Sequence, residues 1–452
     1  MRTLIRWVLT FALVVGVWMA LVLTEWLPRP TAEEQAALAA LAVEPDSAKG
    51  ERDGFAATWL MGFEVPEDRL VELLNADIAA YDKKLAETGS VVDFRSTAEG
   101  QFATVASPTG KDPALCELWN DDCLERVRAA PEATRQRLAD FSKRLERSRW
   151  LGRYDHFHYP FTPRFDSPIA GSLGGLSNLQ LSEAVLHYVD GQVDQAFATL
   201  CRDTAAWRRF RSRSDILIHD MVGVAQMSSA AQLYAKMLAE QPAGFAVPCP
   251  ELFAPLADAE LDQCATMRFE FLSTRNSLAA GIEFKLVEGP LATVFDRFAN
   301  HQHMVRGLAL AIAPYCQAEQ RQRDAARDPT PPAVDTRCSW AQWAVDPAGC
   351  VLTDATPSYH SYHVRVLDLD ARLRLLGAAI WLRKQPTANG DRPGLLGNQD
   401  FATRPTEMDS PRHEFTWDTQ RSVLRMRNLE KGRGEFWEVP VATLPAAANQ
   451  PQ

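Results

Sequence analysis

One short stretch of the chain places side chains that could do chemistry at a spacing that suits it. Tyr154-Asp155-His156-Phe157-His158-Tyr159, followed by Arg164 and Asp166, combines aromatic rings with two imidazoles and two carboxylates. On an extended backbone alternate residues project to one side. His156 and His158 would then share a face and could chelate a metal ion, with an Asp nearby as third ligand. That reading makes the segment the site of an envelope hydrolase, possible with or without a metal. The competing expectation, adopted here, is that an aromatic, Pro-rich segment packs over neighbouring helices with its histidines in hydrogen bonds.

The remaining candidates are weaker. His301-Gln302-His303 falls in a helical pattern, where residues two apart do not share a face. His360 and His363 share a face only if their helix starts early. Trp207, Trp340, Trp343 and Trp381 are expected as core or interface anchors rather than cofactor platforms. Phosphate-binding glycine motifs, the H-E-x-x-H zinc helix, G-x-S-x-G and S-x-x-K are all absent from the sequence. Gly171-Ser172-Leu173-Gly174-Gly175 has its Gly and Ser in the wrong order for a nucleophile elbow and reads as a turn into a helix at Leu176. On these grounds no residue is assigned a catalytic, cofactor-binding or metal-ligating role, and no cofactor is expected.

The elements around these residues are helical. Pro66 opens a pattern in which Leu70, Leu73, Leu74, Asp77, Ile78, Tyr81 and Leu85 recur at three- to four-residue steps. Pro66, Glu67 and Asp68 suit a first turn. Residues 88–113 read as a loop. A charged helix follows from Pro131 to Trp150. The stretch from Arg149 to Gly175 carries too much Pro and Gly for a regular helix. Helices resume at Leu176 and run to Gln320. Within them, LSEAVLHYVDGQVDQAFATL and LIHDMVGVAQMSSAAQLYAKML both read as helix–turn–helix units about 36 residues apart, similar to tetratricopeptide hairpins. Residues 321–358 form a polar, Cys-bracketed excursion. A last helix runs from Tyr362 to Leu382, with Val366, Leu369, Leu373, Leu376, Ala379 and Ile380 on one side. Glu414–Trp417, Ser422–Arg427 and Glu435–Val439 then alternate in polarity between turn signals, as in a small antiparallel meander. The tail after Pro440 is expected to be disordered.

The eight cysteines are even in number and contain no C-x-x-C pair, which fits disulfides in an oxidising compartment. Positions seven apart on one helix lie roughly 10.5 Å apart along the axis, beyond disulfide reach, so Cys116 and Cys123 can pair only across a turn. Asn120-Asp121-Asp122 supplies one. Cys338 and Cys350 flank a similar turn at Asp346-Pro347-Ala348-Gly349. Cys249 and Cys264 are expected to tie a Pro-rich connection to the next helix. Cys201 and Cys316 would then pair with each other or stay free.

The N-terminus predicts a membrane anchor. After Arg6 the chain is apolar and uncharged for about 17 residues, at the lower limit for crossing hydrocarbon. Trp7 and Trp26 flank the run, and Arg2 and Arg6 precede it, which places the N-terminus in the cytoplasm. The apolar core is longer than a signal-peptide h-region, and Val22 with Thr24 makes a poor cleavage site, so an uncleaved anchor is expected. The chain of 452 residues has a net charge of -10. Leaving out Arg2 and Arg6, 46 basic residues face 58 acidic ones, about −12, which excludes nucleic acid as a primary partner.

Leu115-Cys116-Glu117-Leu118-Trp119, Cys123-Leu124-Glu125-Arg126-Val127-Arg128 and Leu200-Cys201-Arg202-Asp203-Thr204-Ala205-Ala206-Trp207-Arg208-Arg209 resemble membrane-anchored periplasmic proteins of Gram-negative bacteria that have no established activity. The resemblance implies a periplasmic location and an all-helical body, and carries no site residues. Five segments are expected: an anchor over 1–24, a juxtamembrane linker over 25–53, a helical domain over 54–385, a β element over 386–440 and a tail over 441–452. The fold class is mostly α, an irregular helical-hairpin body with a small β meander. The function expected is that of a tethered periplasmic interaction protein, a scaffold or an immunity-type inhibitor of an envelope protein partner.

Overall fold

In the computed structural model, residues 2–23, 30–42, 52–108, 110–119, 122–169, 173–242, 244–280, 301–333, 338, 340–345, 350, 359–384, 413, 415–418, 420–430 and 434–441 are described. The N-terminal apolar run forms helix α1 (Arg2–Leu23). Its side chains from Ile5 to Trp18 are solvent-exposed apart from Val15, which is half-buried. Among the described residues no helix is long and apolar enough to cross a membrane.

Within the segment expected as a linker lies a short helix, α2 (Ala32–Ala42). Thr31 and Glu34 cap it reciprocally: the Glu34 N–H donates to Thr31 Oγ1 at 3.1 Å and the Thr31 N–H to Glu34 Oε2 at 2.7 Å. Ala37 and Leu41 enter the main core. Beyond it come α3 (Phe55–Trp59) and α4 (Leu70–Thr88). Gly89 ends α4 at φ 69°, where its N–H reaches the Leu85 carbonyl at 2.9 Å and glycine carries no Cβ penalty. Asp77, fully buried on α4, accepts from Trp59 Nε1 (2.7 Å), Ser96 Oγ (2.5 Å) and the Thr97 N–H (2.6 Å), which pins the following loop to the helix. The charged helix from Pro131 breaks at Phe141 into α6 (Pro131–Asp140) and α7 (Ser142–Ser148), preceded by α5 (Cys123–Ala129).

The body is centred on α8 (Leu173–Val189), α9 (Val193–Ser212) and α10 (Leu217–Ala239). The first of the two repeat-like segments does turn, at Gly191 with φ 78°. The second does not: residues 217–238 lie in the single 23-residue helix α10, and the tetratricopeptide-like repeat is absent there. Gly223, inside that stretch, serves packing instead of a turn. A Cβ there would stand 2.6 Å from Arg211 Cβ on α9. At this crossing Arg211 and Asp220 form a buried pair at 3.1 Å, and Gln263 Nε2 donates to the second Asp220 oxygen at 2.7 Å. Further helices follow as α11 (Asp258–Leu261), α12 (Cys264–Ala279), α13 (His301–Ile312), α14 (Ala318–Ala325) and α15 (Trp340–Val345).

Four disulfides form: Cys116–Cys123, Cys201–Cys249, Cys264–Cys316 and Cys338–Cys350. The two local pairs match expectation. The expected Cys249–Cys264 pair does not form. After α10 the chain folds back over α9 and brings Cys249 within 6.3 Å (Cα–Cα) of Cys201, while Cys264 at the start of α12 meets Cys316 after α13.

The last helix, α16 (His360–Lys384), is buried around most of its circumference, not on one side. Its buried carboxylates are paired. Asp368 accepts the N–H groups of Leu429 and Glu430 at 2.9 Å, and His413 Nε2 lies 3.1 Å away. Asp370 meets Arg374 (2.7 Å), Arg327 (3.3 Å) and the Leu256 N–H (2.7 Å). Arg383 donates to the carbonyls of Leu238 (2.6 Å) and Gln241 (2.7 Å) beyond α10. Such pairing is what makes charge tolerable in an interior. The meander forms as β1 (Phe415–Asp418), β2 (Val423–Arg427) and β3 (Phe436–Pro440), antiparallel in the order β1-β2-β3. Leu424, Met426 and Val439 fasten it to the main core, beside α16 and α10. The tail after Val441 lies outside the described residues.

Candidate functional site

The 154–166 segment is extended, and its residues alternate as the sequence predicts. Phe157, Tyr159 and Phe161 point inward, and His156 and His158 lie on the other side. The inward rings join the two cores of the protein. Phe157 sits in the main core against Phe210, 4.6 Å between centroids. Tyr159 and Phe161 sit in a second core with Phe55, Leu60 and Tyr81. The polar residues fasten this seam. Asp155 meets Arg52 at 3.3 Å, and Asp166 meets Arg164 at 2.9 Å while accepting the Val91 N–H at 3.0 Å. His156 and His158 take separate carboxylates: Asp53 at 4.0 Å from His156, Asp215 at 2.6 Å from His158 Nδ1. The hydrogen bond His158 donates to Asp215 raises the His158 pKa above its ordinary value against the opposing effect of burial.

Among the described residues one group of three brings ligand-type atoms within 4.8 Å of one another, His303 with Cys338 and Cys350. The two sulfurs are joined as a disulfide, so neither is a thiolate able to bind a metal. His360 and His363 do share a face, since α16 begins at His360, and their ring centroids are 6.4 Å apart. His363 is buried against Asp324 at 3.3 Å, and burial lowers its pKa to about 4, so it is neutral at pH 7. Trp207 is a core residue, with its Nε1–H on Gln180 at 2.6 Å, and Trp381 packs against the core. Trp340, by contrast, is 92% exposed, and Trp343 is exposed beside it on α15.

The arrangement best suited to a ligand lies elsewhere. A cleft of about 670 Å³ opens between the Cys116–Cys123 loop, α10, α16 and the sheet, within the usual size range of ligand pockets. The disulfide loop contributes Trp119, which is 40% exposed and stands at φ 66°, a conformation bulky residues rarely hold. Two side chains on helices secure the loop. Ser182 Oγ accepts the Cys116 N–H at 2.8 Å, and Ser229 Oγ accepts the Trp119 N–H at 3.0 Å. From α16, Arg372 places its guanidinium between two indoles, 5.4 Å from the Trp119 ring and 6.0 Å from the Trp437 ring. Its Nη2 donates to Asn428 Oδ1 at 3.0 Å.

From α10 come Ser228, Gln232 and Lys236, one or two turns apart along the same face. Gln232 Nε2 donates to the Glu438 carbonyl at 3.2 Å, which fixes the amide so that Oε1 is the free end. That Oε1 is buried with no hydrogen-bond partner among the described residues, and so is Ser228 Oγ, on a residue only 2% exposed. Lys236, Arg372 and Arg421 line the cleft with Glu438; Lys236 meets Glu125 at 3.2 Å and Arg421 meets Glu438 at 2.6 Å.

The sequence reading singled out none of these residues as a site. They come from four separated segments, and one signal was present in each of two: an Arg within the apolar register of α16, and adjacent aromatics at Phe436-Trp437 on an alternating strand. No family model matches the chain, and neither does any curated protein or any solved structure.

Proposed function

We propose that this chain is a binding protein tethered to a membrane, with its body on the exported side, and that it holds an envelope partner in the cleft between Trp119, Arg372 and Trp437. The observation that carries this reading is the cleft of about 670 Å³ beside a disulfide-closed loop, lined by the exposed rings of Trp119 and Phe436. Tethering is supported by α1, whose Trp7, Leu9, Phe11 and Leu13 are each more than 60% exposed and touch no core. Such a surface is costly in water and stable in lipid. Four disulfides support export.

The test is affinity purification of the full-length protein from cross-linked native membranes, beside a Trp119→Ala variant. One stoichiometric exported partner, lost from the variant, supports the reading. A partner retained equally by both places recognition outside the cleft.

The hydrolase reading keeps one observation, the His158–Asp215 pair, since a carboxylate on Nδ1 is how a general base is oriented. No Ser, Cys or Thr is hydrogen-bonded to His158 among the described residues. If His158→Ala leaves metal content and the cellular phenotype unchanged, that reading fails.

A further inference from the structure

We infer that His303, Cys338 and Cys350 form a zinc site once the Cys338–Cys350 disulfide is reduced. The inference stands apart from the cleft and rests on three observations.

The first is convergence. His303 lies in the first turn of α13, and the two cysteines bracket α15, a separate part of the chain. An imidazole nitrogen and both sulfurs nonetheless lie within 4.8 Å of one another. A tetrahedral zinc ion, bonded at about 2.3 Å to sulfur and 2.0 Å to nitrogen, holds two sulfurs roughly 3.8 Å apart and each roughly 3.5 Å from the nitrogen. With the bond between them cut and their Cα atoms 5.7 Å apart, the sulfurs reach that spacing by side-chain rotation. Among the described residues no other three ligand-type side chains come this close, so no other disulfide has such a neighbour there.

The second is the chemistry of the donors. Two thiolates and an imidazole suit zinc, a borderline-soft ion that favours sulfur and nitrogen. The two thiolate charges cancel that of the ion. A neutral complex fits a place where His303 is 4% exposed and Cys350 is fully buried. The third is orientation. The Gln342 amide on α15 lies 3.2 Å from His303 Nε2. With its oxygen turned to the ring, that amide accepts the Nε2–H and leaves Nδ1 to ligate, as an outer partner does for a metal-bound histidine.

The exchange balances. One thiolate of a dithiol reductant attacks Cys338 Sγ, the half-buried sulfur, and expels the Cys350 thiolate. The reductant's second thiolate attacks the mixed disulfide, leaves as the oxidised reductant and frees the Cys338 thiolate. Two electrons pass to the protein. Zinc takes both thiolates, and the two protons of the reductant pass to solvent. Disulfide and metal therefore exclude each other.

The experiment titrates the full-length protein with Zn2+ alone, oxidised and after reduction by a phosphine, then alkylates the thiols and maps each cysteine by mass spectrometry. The reduced protein is expected to take up one equivalent at this site and the oxidised protein none. Zinc is expected to slow alkylation of Cys338 and Cys350 about tenfold or more and to leave the other six cysteines unchanged. His303→Ala is expected to weaken binding about a hundredfold. Should that buried substitution disturb α13, Cys338→Ser at a half-buried position before α15 is expected to give the same loss. Each cysteine is read separately, so opening of the other three disulfides does not mask the result. Uptake by the oxidised protein, protection shared by all eight cysteines, variants that bind as the unsubstituted chain does, or no uptake by the reduced protein each overturn the inference.

Discussion

The open hydroxyl of Ser228 makes a prediction about the protein without any ligand. Ser228 and Ser182 are both buried serines on central helices, 2% and 0% exposed. Ser182 Oγ accepts the Cys116 N–H at 2.8 Å and donates to the Asn178 carbonyl at 2.6 Å, whereas Ser228 Oγ meets no partner among the described residues. A buried polar group without a partner costs about 1–3 kcal/mol, and alanine is favoured over serine in a helix by roughly 0.5 kcal/mol. Ser228→Ala is therefore expected to stabilise the free protein by about 1–2 kcal/mol. Ser182→Ala removes two bonds and strands a buried N–H, for a loss of about 1–2 kcal/mol after the gain in propensity. The assay is urea denaturation followed by circular dichroism, with midpoints compared at unchanged slope. If Ser228→Ala lowers stability as Ser182→Ala does, the hydroxyl is engaged in the free protein, and the reasoning from an unpartnered buried group is refuted.

Further outcomes follow from the same contacts. Replacing Cys116 and Cys123 by Ser releases an eight-residue loop and should cost about 2.5 kcal/mol by loop-closure entropy, with a matching fall in cleft affinity as Trp119 leaves its positive φ; thermal melts and titration check both. Phe157→Ala, which empties the seam between the two cores, should cost about 3–5 kcal/mol in urea. Gly223→Ala should cost about 1–3 kcal/mol, because its Cβ meets Arg211 Cβ and forces α9 from α10. Burial pushes the Glu270 pKa to about 7 from an ordinary 4.5, so the native state holds a proton the unfolded chain releases, and stability falls as pH rises from 4.5 to 7. Glu270→Gln should then stabilise at pH 8 by on the order of 2–3 kcal/mol and change little at pH 4, read from paired denaturation curves.

Local features of this fold were legible because local chemistry specifies them. The meander follows from alternation between turn signals, and each strand boundary falls within two residues of its reading. Cys116–Cys123 and Cys338–Cys350 follow from turns that bring near neighbours together. The alternation of His156 and His158 against Phe157 and Tyr159 follows from an extended backbone. What failed was non-local. Cys249 bonds to Cys201 because the chain doubles back over α9, which no spacing records. The small residues of α10, read as a turn, instead permit a close helix crossing at Gly223. Arg372 lies on a helix read only for its apolar residues, and its contacts with Trp119 and Trp437 join positions far apart in the chain. The cleft was invisible for that reason: each contributing segment alone reads as ordinary core or surface.

The central claim is that the Trp119–Arg372–Trp437 cleft is where this protein meets its partner. The most direct measurement places a photo-reactive phenylalanine analogue at Phe436, which lines the cleft and is 38% exposed, and another at Val71, 64% exposed on α4, and irradiates intact cells. The account predicts a discrete adduct from position 436 and none from 71. Adducts from both positions alike, or none from 436, would contradict it.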